Sequence, residues 1–514
     1  MTENRWMRTT GFAAVACFMV AAAVINYWPI LNNTFIADDH FFINAFRVTP
    51  LSGIELLFTK QSPLFVRPMT MFVFWVHSRM FGLNPWPAHL INVFLHGGIA
   101  FMLFLFIERL GARKLTAFVA AILFLLSPIA PEVVTWLSGR ADELSLFFML
   151  LAMLLYSFYL TKRSWAAFSG AMLAAAVSLL SKEQGYILII LLPSMDFLFG
   201  GIFLRSEIDP KEGLKAKTGQ MLKDAWSQLT DRGFIFRHCI LLSLICGNII
   251  LHLAILGKMG GYEGVPLIDV PTVDGSRATF ITLISPLNSD EFSWETIHAL
   301  GYYSAMLVLT GIALVFSRWR KTNAKARRLL IMMVIFFIAS VLPANSAIFS
   351  TGIHSTLKES RLLYSATLCL LSIIVIALLE FGWQRLAWKI TALTALLLLV
   401  PVYIVGLNFN NQPWQRAAAV NYSIPKQTVE LVPNPPRDAR LYFSLPLLYK
   451  DNFIMGYGLG YGFEDSIKAA YDRDDLVVIR VKKYESEPVP DSHGYIFDYD
   501  LDSGLLVLTR VPDL

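Results

Sequence analysis

Residues 11–30 read GFAAVACFMVAAAVINYWPI, twenty consecutive positions without a charged side chain. An α-helix rises about 1.5 Å per residue, so this run is long enough to cross the roughly 30 Å hydrocarbon core of a bilayer. The polar and basic start, MTENRWMRTT, is also typical of secretory signal peptides. Because the run is long enough to span and further apolar runs follow, we interpret it as an uncleaved first transmembrane helix.

The apolar character extends over most of the chain. Of 514 residues, 55% are hydrophobic and only 16% are charged, whereas soluble domains carry about 25% charged residues. Ten further runs follow the first, at 88–108, 115–128, 142–160, 165–180, 184–203, 238–256, 298–316, 329–346, 361–380 and 390–408. This composition excludes a soluble multidomain protein. The net charge of +5 is spread over short loops, which indicates membrane topology and no nucleic-acid partner.

The placement of basic residues predicts the orientation of these runs. With the N-terminus in the cytoplasm, the cytoplasmic segments are 109–114, 162–163, 205–237, 318–328 and 385–389, and all five are rich in Lys and Arg. This agrees with the positive-inside rule, and the opposite orientation would export every one of them. The external connections are then 31–87, 129–141, 181–184, 257–297 and 343–360, and the C-terminal segment also lies outside.

We therefore predict an all-α polytopic membrane protein with about eleven transmembrane helices and a small extracytoplasmic α+β domain. The membrane domain covers 1–408, with long external loops at 31–87 and 257–297, and the C-terminal domain covers 409–514. In that domain the sequence predicts a helix at 464–471 and strands at 440–445, 476–481, 495–499 and 505–508. The last two strands flank Asp502-Ser503-Gly504, which is typical of a hairpin turn.

Three loop features complete the prediction. Residues 49–60 have the pattern of a short amphipathic helix on the membrane surface. The glycines at 257–264 suggest a mobile loop over a site. The glycines at 456–462 lack a Walker lysine and a strand–loop–helix context, so we interpret them as an ordinary loop.

Cysteine usage indicates helix packing. Cys17, Cys239, Cys246 and Cys369 all lie inside apolar runs, and none has the spacing of a zinc site.

Charged residues concentrate at the external helix ends. Asp38 and Asp39 follow the first run, and a loop at 127–143 reads SPIAPEVVTWLSGRADE. Lys182-Glu183 ends the fifth run, and 358–364 (KESRLLY) opens the tenth. Taken singly, each is explained by a solvated loop acid or an interfacial anchor. Their common side favours chemistry at the outer membrane surface, since a transporter places its binding groups near the midplane.

Two histidines share one face of a predicted helix. His89 and His96 are seven residues apart, which is two helical turns. For this pair alone, polar packing inside the bundle is favoured over a ligand role.

In this order, these residues resemble the GT-C superfamily of polyprenyl-phosphate-sugar glycosyltransferases. They are similar in particular to bacterial relatives of the TMTC and protein O-mannosyltransferase group. The resemblance covers roughly residues 30–370. It rests on Asp38-Asp39, Arg67-Pro68, the stretch 81–86 (FGLNPW) with His89 and His96, Pro128, Glu132, Trp136, Gly139, Arg140, Asp142, Lys182-Glu183, Arg361 and Tyr364. Ser127 replaces a common His, and Glu359 is one residue further from Arg361 than in the family pattern.

The resemblance implies an outward-facing, lipid-linked sugar donor and attack at its anomeric carbon. A phosphate leaving group needs no acid, so one base suffices, and a single displacement inverts the anomeric configuration. Asp38, Asp39 and Glu132 are then the catalytic candidates. The candidates for binding substrate and phosphate are Arg67, His89, Arg140, Asp142, Lys182, Glu183, Arg361 and Tyr364. A divalent cation, Mg²⁺ or Mn²⁺, is a possible cofactor, with Asp38 and Glu132 as candidate ligands.

The expected partners are a polyprenyl-phosphate-linked sugar, an extracytoplasmic protein, lipid or glycan acceptor, and membrane lipids. The expected location is a bacterial inner membrane, with the active site facing the periplasm. Two alternatives stay open. One is an O-antigen ligase or polymerase acting on a diphosphate carrier, and the other is a transporter or flippase of lipid-linked sugars.

Overall fold

The structure is a computed structural model that describes residues 2–48, 58, 65–200, 223, 226–258, 273–351, 355–382, 386–445, 462–482, 494–500 and 503–511. Helices dominate the chain. In order they are α1 (Thr2–Tyr27), α2 (Asp38–Val48), α3 (Pro68–Phe81), α4 (Pro85–Arg109), α5 (Lys114–Leu125), α6 (Arg140–Lys162), α7 (Trp165–Ser181), α8 (Leu188–Phe199), α9 (Arg232–Leu256), α10 (Val273–Ile284), α11 (Trp294–Arg318), α12 (Ala324–Thr351), α13 (Tyr364–Ile376), α14 (Leu386–Leu431) and α15 (Phe463–Tyr471).

Each of the eleven apolar runs contains a helix, although residues 126–128 at the end of one run are not helical. Among the described residues, seven helical segments are long and apolar enough to cross a membrane: Gly11–Ile30, Pro85–Arg109, Leu137–Lys162, Arg232–Leu256, Trp294–Lys321, Ser360–Phe381 and Leu386–Leu431. Two shorter apolar helices, Lys114–Leu125 and Trp165–Ser181, accompany them. The helical, polytopic fold class predicted from the sequence is confirmed.

Local signals fix where the helices begin and end. The side chains of Ser164, Asp231 and Ser293 accept hydrogen bonds from backbone N–H groups in the first turns of α7, α9 and α11. Such caps satisfy donors that have no partner within the helix. Gly257 ends α9 in the left-handed conformation that glycine adopts easily. The predicted loop 257–297 therefore begins as expected, but it contains a helix, α10, over its described residues.

The helix α14 is much longer than predicted. The last apolar run was expected to end at 408, yet the helix continues to Leu431 through Pro413 and Pro425. Proline removes a backbone hydrogen bond and usually bends or ends a helix. Here the extension is held by side-chain contacts, because Asn410 and Trp414 both pack against the 127–140 loop. The predicted domain boundary at 409 thus falls inside one continuous helix.

The C-terminal domain is built on the end of α14. Its strands are β1 (Arg440–Leu445), β2 (Val477–Lys482), β3 (Gly494–Asp500) and β4 (Leu505–Arg510). The sheet order is β2-β1-β3-β4; β1 runs parallel to β2 and β3, and β3–β4 is antiparallel, as the predicted hairpin requires. Gln427 on α14 bonds the backbone of Gly504 and Leu506, and this contact joins the helix to β4.

Three sequence predictions lie outside the described residues in whole or in large part. They are the surface helix at 49–60, the glycine-rich stretch of the 257–264 loop beyond Lys258, and the glycine loop at 456–461. All four cysteines are unbridged. Cys369 is buried in the helical core, as a packing role requires, whereas Cys17, Cys239 and Cys246 are exposed on the surfaces of their helices.

Candidate functional site

The acidic pair begins α2, and its two carboxylates have different environments. Asp39 is buried; one oxygen accepts from the backbone N–H of Ile36 at 3.1 Å, and the other accepts from the N–H and hydroxyl of Ser138 at 3.0 and 2.8 Å. Burial raises the pKa of Asp39 from 3.8 to about 7, against the lowering effect of these hydrogen bonds. Asp39 therefore ties α2 to the 127–140 loop.

Asp38 is partly exposed, and no hydrogen bond to its carboxylate is found within the part of the chain that the structure describes. Burial raises its pKa, and the positive charge of Arg361 partly offsets that rise. Of the acidic pair, Asp38 is thus the carboxylate that remains open to an incoming group.

Glu132 is fully engaged by a turn that precedes α13. Its carboxylate accepts backbone N–H bonds from Glu359 at 3.2 Å and Arg361 at 2.9 Å, and a hydroxyl bond from Ser360 at 3.1 Å. The Arg361 guanidinium adds an ion pair at 2.5 Å. Glu359, in the left-handed conformation at φ +63°, makes a second ion pair with Arg361. Glu132 therefore orients Arg361 and is poorly placed to act as a base.

The ring of Trp136 packs against the Arg361 guanidinium, and a second ring stacks on that of Trp136. Its guanidinium carbon lies 5.2 Å from the centre of the Trp136 ring, close enough for a cation–π interaction. Trp136 in turn stacks on Trp414 of α14, with ring centres 6.3 Å apart. Next to Glu132 is a cleft with about 340 Å³ of empty space; its lining includes Pro128, Pro131, Glu132, Lys358, Asn410 and Trp414.

Close backbone contacts hold the 127–140 loop in shape. A methyl group added at Gly139 would overlap the carbonyl oxygen of Val133 and lie 2.8 Å from that of Glu132. On the α14 side, the Asn410 amide donates to the carbonyl of Pro128 at 2.7 Å, and the Thr135 hydroxyl bonds Asn411 at 2.5 Å. The loop is therefore packed from both sides.

The turn after α7 connects three other helices. Glu183 forms a two-pronged pair with Arg67, with distances of 2.6 to 3.2 Å, and Lys182 pairs with Asp142 at 2.5 Å. Gln184 donates to the Ser365 hydroxyl, one helical turn beyond Arg361. Burial raises the pKa of Glu183, but the charge of Arg67 and a hydrogen bond from His252 outweigh it, so the pKa is below its ordinary value.

The remaining predicted residues lie deeper among the helices. Arg140 is fully buried and donates to Asn92 at 2.7 Å and to the carbonyl of Ala88 at 2.8 Å. His89 bonds the carbonyl of Asn33 at 3.1 Å. The Tyr364 hydroxyl donates to Nδ1 of His96 at 2.6 Å, while Nε2–H of His96 donates to a backbone carbonyl.

The structure thus sorts the predicted site residues into two groups. Glu132 and Arg361 are paired beside the cleft, Asp38 lies within electrostatic reach of Arg361, and Asp39 bonds Ser138 of the same loop. Arg67, Asp142, Lys182 and Glu183 form ion pairs at the same end of the helices, whereas Arg140, His89 and Tyr364 make internal bonds.

Sequence reasoning did not select Ser138, Lys358, Asn410, Trp414 or Glu143, a fully buried acid one residue after Asp142. Glu143 was visible as a fourth charge in the 127–143 loop and Lys358 as the first charge of the 358–364 stretch, whereas Ser138, Asn410 and Trp414 carry no sequence signal.

Asp38 and Glu132 are poorly suited to hold a divalent cation between them. Among the described residues, no three His, Cys, Asp or Glu side chains converge on a point where a metal ion could bind. Both Glu132 oxygens already accept from donors on the 359–361 turn.

The apolar helices define an integral membrane protein with a polar site at one end of its helical bundle. Residues 62–206 match the family model described as dolichyl-phosphate-mannose-protein mannosyltransferase. This interval contains Arg67, Glu132, Lys182 and Glu183, and it leaves out the Asp38 and Arg361 regions. Within it, the resemblance to GT-C glycosyltransferases is confirmed.

Curated relatives are similar over about a third of the chain. The protein O-mannosyl-transferase TMTC2 of Mus musculus is 34% identical over 151 residues, 28% of this chain and 17% of the relative. TMTC3 of Mus musculus is 30% identical over 191 residues, 32% and 20% of the two chains, and TMTC4 of Homo sapiens is 30% identical over 212 residues, 37% and 28%. The chain therefore spans less than a third of the length of these relatives.

Among solved structures, ArnT from Cupriavidus metallidurans bound to undecaprenyl phosphate is 12% identical and covers 95% of this chain and 93% of its own, with a TM-score of 0.28. That superposition is too loose to carry an argument.

Proposed function

We propose that this protein is a membrane glycosyltransferase that moves a sugar from a polyprenyl-phosphate carrier to an acceptor on the non-cytoplasmic face. The acceptor is a protein, a lipid or a glycan, and the membrane is a bacterial inner membrane. The relatives named as O-mannosyl-transferases support the reaction class. The observation that carries the proposal is the Asp38 carboxylate, which accepts no hydrogen bond from the described residues and lies within electrostatic reach of Arg361, whose ion-pair partner Glu132 lines a cleft.

Asp38 is the base in this proposal. It takes the proton of the acceptor hydroxyl as the oxygen attacks the anomeric carbon. The bond between that carbon and the phosphate oxygen breaks, its electron pair stays on the polyprenyl phosphate, and Asp38 later releases the proton to water. Attack opposite the leaving group inverts the anomeric configuration.

Arg361 stabilises the charge near the leaving phosphate. Its guanidinium is fixed by Glu132, Glu359 and the Trp136 ring, so it presents its charge without reorganisation during the reaction. Arg67 and Lys182 contribute further positive charge at the same end of the bundle, each held by a carboxylate. Since Glu132 is occupied, we propose that transfer needs no divalent cation held between Glu132 and Asp38. Activity that is lost with EDTA and restored by Mg²⁺ or Mn²⁺ would contradict this.

The test is sugar transfer by purified protein in vesicles supplied with polyprenyl-phosphate mannose and, in parallel, other polyprenyl-phosphate sugars. Asp38→Asn keeps the size of the side chain and removes the base, so transfer is expected to fall by about 10²- to 10⁴-fold. Asp231→Asn is the matched control, because Asn also caps the cytoplasmic start of α9. Full transfer by the folded Asp38 variant would rule out this base. Transport of a lipid-linked sugar without transfer would favour the transporter alternative.

A further inference from the structure

The C-terminal domain touches the turn that carries Asp38. Gly462, the residue before α15, lies against the backbone of Ala37 in the left-handed conformation at φ +76°. A methyl group added there would overlap the carbonyl oxygen of Ala37 and lie 2.9 Å from its carbonyl carbon and 3.5 Å from the amide of Phe41. Because both partners are backbone, no side chain can move aside to make room.

The other side of this contact is conformationally demanding. Ala37 directly precedes Asp38 and is itself left-handed, at φ +54°, which residues with a Cβ adopt only when their surroundings hold them. It is fully buried in a cluster with Ile36, Trp136 and Trp414. Its carbonyl accepts a hydrogen bond from the N–H of His40 at 3.3 Å. The Ala37 carbonyl is therefore bound within α2 and covered by Gly462.

Gly462 is anchored within its own domain. Its carbonyl accepts from the N–H of Ser466 at 3.0 Å, in the first turn of α15. The next residue, Phe463, is buried and packs edge-on against Phe443 of β1 at 5.2 Å. A shift of Ala37 would therefore require a shift of α15 against the sheet.

We infer that the C-terminal domain positions the base: Gly462 holds Ala37 in its left-handed conformation and so aims the Asp38 carboxylate toward Arg361. Gly462 is a positioning residue, since it contacts the turn and not the reacting groups. This inference rests on the proposed role of Asp38, and it assigns to the sheet domain a function in sugar transfer.

The chain offers a closely matched pair of variants for the test. Gly462→Ala forces a methyl group against the backbone of Ala37. Gly504→Ala changes another left-handed glycine of the same domain (φ +69°), and there the added methyl group would lie 4.0 Å from its nearest neighbour, the Tyr499 hydroxyl. Both carry the same backbone strain, and only the first presses on the turn. We expect Gly462→Ala to lower kcat for sugar transfer by about tenfold or more, because small misplacements of catalytic groups are costly. Gly504→Ala is expected to stay within about twofold of the wild type, and KM for the donor within about threefold in both.

A compensating change distinguishes positioning from loss of stability. Ala37→Gly accepts the left-handed conformation without strain and lets the carbonyl yield. Added to Gly462→Ala, it is expected to recover a substantial part of kcat. Equal losses in Gly462→Ala and Gly504→Ala, or an unchanged kcat in a folded Gly462→Ala protein, would overturn the inference. If Gly462→Ala cannot be purified intact, Phe463→Leu replaces it, because this change loosens the packing on Phe443 that anchors Gly462. It is expected to lower kcat more than Gly504→Ala does, and an unchanged kcat would overturn the inference.

A second measurement does not depend on sugar transfer. Hydrogen exchange at the amides of Asp39 and His40, whose bonds to Ile36 and Ala37 close the turn, is expected to be faster in Gly462→Ala than in Gly504→Ala. Equal exchange would refute the contact as a positioning device. Failure of the wild type to transfer any sugar, with exchange as expected, would instead refute the proposed function.

Discussion

Two adjacent carboxylates, Asp38 and Asp39, are assigned different tasks by their surroundings. Asp39 accepts three hydrogen bonds and joins α2 to Ser138, whereas Asp38 is partly exposed and influenced by the charge of Arg361. The sequence alone could not separate them, because both occupy the first turn of one helix. Successive residues of a helix project about 100° apart, so one carboxylate reaches Ser138 while the other stays partly exposed.

The pH dependence of transfer tests the link between Asp38 and Arg361. A base must be deprotonated, so kcat/KM is expected to fall as the pH drops through the raised pKa of Asp38. Arg361→Gln removes the charge that lowers this pKa, so the acid limb of the profile is expected to move to higher pH. Arg361→Lys retains a positive charge and is expected to shift the limb less. An acid limb at the same pH in all three proteins would refute the interaction.

The pH dependence of stability tests the burial of Asp39. Because its pKa is raised from 3.8 to about 7, the folded protein holds this proton more tightly than the unfolded chain does. Its contribution to stability is complete below about pH 4 and is lost as the pH rises through 7. We expect the unfolding temperature to fall from pH 5 to pH 8 in the wild type, and less steeply in Asp39→Asn. Parallel curves would contradict this assignment.

At the scale of elements, the 127–140 loop organises the site. Ser138 of the loop bonds α2, and Asn92 of α4 donates to the loop backbone. Glu132 of the loop accepts from the turn before α13, and Asn410 and Trp414 of α14 pack against the loop. The family motif in this loop was readable from the sequence, but its partners were not, since Arg361 lies 229 residues from Glu132.

Gly139 tests the close packing of this loop. Gly139→Ala places a methyl group against the backbone of residues 132 and 133, and overpacking of this kind costs about 1–3 kcal/mol. Gly247→Ala in α9 is the control, because a methyl group there meets no atom within 4 Å and alanine favours helix. We expect lower unfolding temperature and lower transfer in the first variant only. Equal stability of the two variants would show that the loop yields more readily than its contacts indicate.

At the scale of the whole molecule, hydropathy predicted the helices and strand patterns predicted the sheet. Each of the eleven runs contains a helix, and β1 begins and ends at the predicted residues. The extension of α14 to Leu431 was missed because its internal prolines favour an earlier end, and tertiary contacts of Asn410 and Trp414 override them. The contact of Gly462 with Ala37 was missed because backbone packing between distant segments leaves no periodic pattern.

The membrane orientation is a prediction that labelling can test. Lys162, at the end of α6, and Lys426, on the α14 extension, are both exposed and are separated by seven of the predicted crossings. Cysteines introduced there, with Cys17, Cys239 and Cys246 replaced by serine, are expected to lie on opposite sides. A membrane-impermeant maleimide added outside intact cells is expected to label position 426 and to reach 162 only after permeabilisation. Labelling of both positions from one side would contradict the threading.

The central claim is that Asp38 drives direct displacement of a sugar from a lipid phosphate. The most direct test follows one turnover of the wild-type protein and Asp38→Asn in vesicles, with a polyprenyl-phosphate sugar of known anomeric configuration. We predict one polyprenyl phosphate released per sugar transferred, a product of inverted configuration, and loss of both products in the variant. Retained configuration, or full turnover by a folded Asp38→Asn protein, would contradict the account.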